Sequence, residues 1–268
     1  MNRKKHLKGT LRLYGHYLSL CIRSTMQHKA SFAMQILGQL LMLFTTFLGI
    51  YFMFERFHSV AGYTYNDVLL CFSIVLIQFS LAEMFARGFD MFGGMVRRGE
   101  FDRVLVRPRG EVLQILGSKF ELTRMGRLIH AVVVLAYVLA TVEVRWNALR
   151  ILTFCSMLLG GVLLFSGLFL IYAGFCFFTL EGLEFMNIFT DGGREYGKYP
   201  IDVYGKRMQR FTTYVIPYTL VQYYPLQLLL GRSERWQYCL YPLGTVGFLL
   251  LCYAFWRFGV RHYTSSGS

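Results

Sequence analysis

Three stretches of this chain carry residue types at spacings that could do chemistry. Residues 192–198, Gly-Gly-Arg-Glu-Tyr-Gly-Lys, fit the phosphate-cradling pattern G-x-x-x-x-G-K. The pattern fails at its end, because Tyr199 and Pro200 stand where a magnesium-binding Ser or Thr belongs. Pro200 also opposes a helix running on from the lysine. No nucleotide site is assigned here, and no other stretch offers one. If ATP drives this protein, another chain binds it.

The second stretch holds Glu83, Arg87 and Asp90 at i, i+4 and i+7, so on a continuous helix they share one face and can pair as acid, base, acid. At membrane depth such an intramembrane charge cluster is a functional site by default, since burying charge is costly. The competing reading is a wet, self-paired face at the cytosolic end of a helix. The short apolar run before Glu83 favours the latter.

The third stretch, Met95 to Gly110, mixes Phe101, Val104 and Leu105 with Arg97, Arg98, Glu100, Asp102, Arg103 and Arg107, and Pro108 limits any helix there. A short amphipathic cytosolic helix of this kind suits a groove on a soluble partner. Phe101, the single aromatic in the stretch, is then the expected anchor, with Glu100 and Asp102 orienting the contact. The composition reads equally as an ordinary positive loop on the cytosolic side.

Hydrolytic chemistry finds no support: there is no G-x-S-x-G elbow and no H-E-x-x-H, and the six His residues are dispersed. No metal site is expected either. The six Cys residues show no C-x-x-C pair and read as small apolar fillers.

The elements that must position these residues are membrane helices. With 55% apolar and only 16% charged residues, and a mean hydropathy of +0.42, the chain needs lipid as solvent. Its net charge of +13 does not indicate nucleic acid, because the basic residues sit between long uncharged runs. Four of those runs are long enough to cross about 30 Å of hydrocarbon. They are Ala30 to Phe54, Ile151 to Leu180, Phe211 to Gly231 and Trp236 to Trp256, taken as spans one, four, five and six. Val68 to Ala82 and Leu128 to Val142 reach only about 22 Å as helix and must borrow flanking turns to serve as spans two and three. Span four has the opposite problem at about 45 Å, and calls for tilt, a break or an extension, with Gly160, Gly161, Gly167 and Gly174 as break or close-packing points.

Of the 28 Lys and Arg residues, 23 fall in segments 1–30, 87–127, 180–210 and 257–268, and 5 in the opposite connections. Positive loops stay in the cytosol, so both termini are expected there. The N-terminus is expected to be retained, since its first long apolar run is too long for a signal peptide. Before that run, Leu7, Leu11, Tyr14, Leu18 and Ile22 recur at helical spacing while Lys8, Arg12, His16 and Arg23 fall largely elsewhere on the wheel. A helix lying in the cytosolic interface is expected.

Arg98 to Pro108, including Gly99, then Tyr199 to Gly205, the Pro217 to Pro225 segment with Tyr223 and Tyr224, and the closing Arg261 to Ser268 follow one another in an order that resembles the permeases of type-2 ABC exporters. The similar branch has a single compact six-span domain. The resemblance implies a coupling helix after span two and a re-entrant segment between spans five and six. It also implies pairing with a second permease, as homodimer or heterodimer, and with separate ABC ATPase subunits that bind ATP and magnesium. The proline-broken stretch Pro217 to Leu230 is compatible with a re-entrant segment, since irregular backbone at depth is tolerated inside protein.

The expectation is thus an all-α integral membrane protein. Residues 1–29 form the amphipathic helix, 30–258 the six-span domain with its coupling loop at 93–112, and 259–268 a cytosolic tail. As the permease of a bacterial exporter in the cell membrane, it would move a hydrophobic or amphipathic substrate and bind no cofactor itself. Two alternatives stand beside this: an ion-coupled transporter or channel using Glu83 and Asp90, and an intramembrane enzyme acting on lipid.

Overall fold

A computed structural model of the chain describes residues 3–142, 146–179 and 183–264. The expected boundary residues Glu143, Leu180 and Glu181, and residues 265–268 of the tail, lie outside the described residues, as do the side chains of Leu7, Lys8 and Leu11.

Among the described residues the chain is helical without a sheet, and five helical stretches are long and apolar enough to cross a membrane. The first is α2 (Lys29–Phe57), preceded by α1 (Arg3–Met26). The second, α3 (Tyr65–Asp90), begins at a capping box in which Thr64 accepts from the Asp67 N–H and the Asp67 carboxylate accepts from the Thr64 N–H. It takes the turns that its short apolar core needed from both flanks. After it come the short helices α4 (Phe92–Arg97), α5 (Glu100–Leu105) and α6 (Glu111–Ser118). The third crossing is Leu122–Thr141, mostly α7 (Met125–Thr141). The fourth is α8 (Ala148–Phe175), capped by the Asn147 side chain. The last is α12 (Gly244–His262) with the turns from Trp236 before it.

α8 runs unbroken. Its glycines are close-packing sites: a Cβ on Gly160 would lie 2.7 Å from Pro242, and one on Gly161 2.1 Å from the Gln78 side chain. Gln78 donates to the Met157 carbonyl at 2.9 Å and accepts from Gln222 at 3.2 Å, tying α3, α8 and the later chain together in the bundle centre.

The expected fifth span, Phe211 to Gly231, is not one helix. It divides into α10 (Lys206–Tyr214) and α11 (Tyr218–Leu229), with an irregular turn at 215–217 ending on buried Pro217. Twelve residues make about 18 Å of helix, too little to cross alone. The physical reason is Pro217, which lacks an N–H and restricts the residue before it.

The segment before α10 departs further from expectation. Residues 183–204 do not form a cytosolic loop but climb beside α3. Asp191 of α9 (Asp191–Tyr196) lies with Asp90 around one cleft, the Gly197 carbonyl accepts from Cys71, and Asp202 accepts from Tyr63 just before α3 begins. Of the five basic residues in segment 180–210, Arg194 and Lys198 enter the bundle and Lys206, Arg207 and Arg210 follow Asp202 to the end where α3 starts, so 18 basic residues at the α4 to α6 end oppose 8 at the other.

The interior ends of α3, α7, α8 and α12 gather at the same end as α4 to α6, shown by contacts between Arg127 and Glu83, Tyr172 and Gly93, and Arg257 and Glu111. α1 joins them by laying Tyr17 on Gly117. Its half-buried residues Tyr14, Tyr17, Leu18 and Cys21 follow i, i+3, i+4, i+7, while Arg12, His16, Ile22 and Arg23 are exposed.

Candidate functional site

Charged residues of two crossings meet on the half of α3 nearest Asp90. Glu83 is 3% exposed. One of its oxygens meets Arg87 and Arg124 at 3.2 Å each, and the other accepts from Arg127 at 2.5 Å. Arg87 also pairs with Asp90. The face formed by Glu83, Arg87 and Asp90 is therefore self-paired as its spacing indicates; half-buried Arg87 and Asp90 line an open polar cleft, while Glu83 is buried. A lone carboxylate at this depth would be costly. What compensates it comes from the next crossing, through Arg124 and Arg127, which the sequence presents only as part of the basic segment 87–127. The signal available was their position beside the apolar run that follows, four residues and one residue before Leu128.

Arg127 continues the cluster across the bundle. It lies over the Phe79 ring at 5.3 Å, and Arg194 lies over that ring at 5.0 Å. Arg194 pairs with Asp191 at 3.1 Å and Glu195 at 3.0 Å, and Lys198 pairs with Glu195. Of residues 192–198, which fit the phosphate-cradling pattern up to its lysine, the first five lie in α9, and Lys198 in the turn after it is 7% exposed and held by the Glu195 carboxylate.

The coupling-loop candidates sit at the end of the bundle. Gly99 turns the chain with φ 65°, a left-handed conformation that glycine adopts without strain, and α5 follows at once. Arg98 donates to Glu100 at 2.8 Å and holds its carboxyl below the usual range. That exposed contact exists above the ordinary carboxylate pKa and is lost as pH falls through the lowered one.

Phe101 corrects the sequence reading. It is fully buried, packed on Phe92 at 5.0 Å, Tyr263 at 5.1 Å and Phe177 at 5.4 Å, with Trp256 at 6.2 Å. An aromatic so enclosed cannot also fill a partner's pocket. It anchors α5 to the ends of α8 and α12, because an apolar ring beside a greasy bundle end is buried by its own chain first. The outward face consists of Leu105, 44% exposed, Val106, 83% exposed, and the exposed Arg97, Arg98, Arg103, Arg107 and Pro108. Asp102 is half-buried beside Tyr263, whose hydroxyl burial and this carboxylate push upward in pKa.

Of the proline-broken stretch, Pro217 and Pro225 are buried, while Tyr223 and Tyr224 are half-buried. Tyr224 packs on Tyr238 at 5.1 Å and Tyr241 at 4.9 Å, so α11 leans on the turns that lead into α12. Its far end is fixed where α3 starts, by Gln227 donating to Tyr63 at 2.5 Å and Arg232 pairing with Asp67 at 3.1 Å.

These observations define a multi-pass helical membrane protein with charge buried between its helices and a short helix, flanked by arginines, docked at one end. Comparison with known families gives the class its particular form: the family described as ABC-2 family transporter protein matches residues 40–267, and the chain belongs to it. No curated protein and no solved structure matches the chain.

Proposed function

We propose that this chain is the permease subunit of an ABC exporter, with ATP and magnesium bound by a separate ATPase that docks on α5. Family membership supports the association with ABC ATPases. The observation that carries the docking site is the split character of α5: Phe101 clamps it to α8 and α12 from within, while Leu105 and Val106 stand exposed in a ring of arginines. Exposed apolar side chains ringed by charge are the anatomy of an interface. A push on α5 would pass through the Phe101, Trp256 and Phe177 rings into two crossing helices, which is the differential coupling that alternating access requires.

In this reading the end bearing α1, α4 to α6 and the C-terminal helix faces the cytosol. Two such permeases form the working unit with two ATPases, α11 is the re-entrant element, and the substrate is hydrophobic or amphipathic. Glu83 serves to hold α3 and α7 together.

The test is co-purification of an ABC ATPase expressed together with this chain. Leu105→Ser with Val106→Ser is expected to leave the permease in the membrane and monodisperse in detergent, while ATPase recovery and ATP-dependent export fall together. Undiminished recovery would remove α5 as the docking site.

A further inference from the structure

A cavity of about 240 Å³ opens between α2 and the climbing segment 183–204, at mid-height in the bundle. Leu43 and Leu76 both line it, and each lies near the middle of its helix. Its polar wall is Arg127, Arg194, Glu195 and Lys198 from one side and Gln39 and Thr46 from α2.

The charges around it do not cancel. Arg87, Arg124, Arg127, Arg194 and Lys198 form one chain of contacts with Glu83, Asp90, Asp191 and Glu195, five cations against four anions. Asp191 and Glu195 match Arg194 and Lys198, whereas Glu83 and Asp90 face three guanidiniums, so the excess charge falls at Arg124 and Arg127, the second of which lines the cavity. An excess positive charge at membrane depth is costly until an anion joins it. Beside this wall the lipid-side face of α2 is bare: only 11% of its most apolar stretch is buried, and Met42, which lines the cavity, is 75% exposed.

We infer that this cavity is a binding site for an amphipathic anion, its single charged headgroup among Arg127, Arg194 and Lys198 and its chain along α2 past Met42. This rests on reading the chain as a permease for an amphipathic substrate, and narrows that substrate to an acid.

Native mass spectrometry of the full chain in neutral detergent tests it, with phosphatidic acid against phosphatidylcholine of the same acyl chains. Phosphatidic acid should be retained about tenfold better, the scale of one added charge-assisted hydrogen bond. Arg194→Gln with Lys198→Gln should abolish the preference, and Arg107→Gln with Arg109→Gln, which remove equal charge from the exposed loop, should not. Thr46→Phe fills the cavity without touching a charge and should give the same loss, so misfolding of the charge variant does not decide the matter. Equal retention of the two lipids, or a preference that survives Thr46→Phe and the Arg194 and Lys198 changes, overturns the site. A large excess of inorganic phosphate should leave the lipid in place; displacement would show that a free anion suffices and would overturn the amphiphile assignment. The ATPase is absent from this measurement, so failure of ATPase docking would sink the permease reading and leave this result untouched.

Discussion

Glu83 shows how one residue can order two crossings. Its carboxylate is compensated by one arginine of its own helix and two from the stretch around the start of α7, so removing it takes the carboxylate from Arg124 and Arg127 in a largely buried site while Arg87 keeps Asp90. Breaking a buried ion pair by removing one partner costs about 3–5 kcal/mol. Glu83→Gln should therefore lower the yield of monodisperse protein and its unfolding temperature in detergent, whereas the export rate per folded molecule should hold. Arg127→Gln added to Glu83→Gln should cost much less than in the wild-type background, because residues in one network are not additive. A folded Glu83→Gln protein that had lost export would instead place this carboxylate in the transport cycle. Phe101 makes a parallel case at the bundle end. Phe101→Ala leaves a cavity among four rings, worth about 3–5 kcal/mol. In this variant the ATPase should still bind through Leu105 and Val106 while its hydrolysis no longer drives export.

At the scale of elements, close approach is set by small residues. A Cβ on Gly88 would lie 1.9 Å from the Ile115 carbonyl oxygen, and backbone cannot swing aside as a side chain can. Gly88→Ala must separate α3 from α6, at a cost of about 1–3 kcal/mol or more, measured as a lowered unfolding temperature. Gly247→Ala in α12, with open space around its position, is the matched control and should be neutral or better. The break before α11 belongs to the same scale. Apolar composition alone made 211–231 a crossing, but Pro217 divides it between the last turn of α10 and the twelve residues of α11, whose far end is fixed by side chains distant in sequence.

For the whole molecule, the remaining question of sidedness is a matter of charge. With segment 183–204 moved into the bundle, the excess of basic residues at the α5 end persists, so single cysteines at Ser59 and Ser233 should label from outside intact cells and one at Val106 should not. Labelling of Val106 from outside would invert the assignment. The sequence by itself determined that this chain lives in lipid, where most of its crossings begin and end, and that no nucleotide motif is complete; these follow from composition and from the fixed rise of a helix, which any local window reveals. It also placed Glu83, Arg87 and Asp90 on one face, because i, i+4 geometry is local. Only the tertiary structure decided that Arg124 and Arg127 complete that face, that Phe101 turns inward onto Trp256, and that residues 183–204 rise along α3 to bring Arg194 and Lys198 to the bundle centre. Each of those depends on contacts between residues far apart in the chain, and neither the spacing nor the hydropathy of a local stretch records which distant surface it will meet.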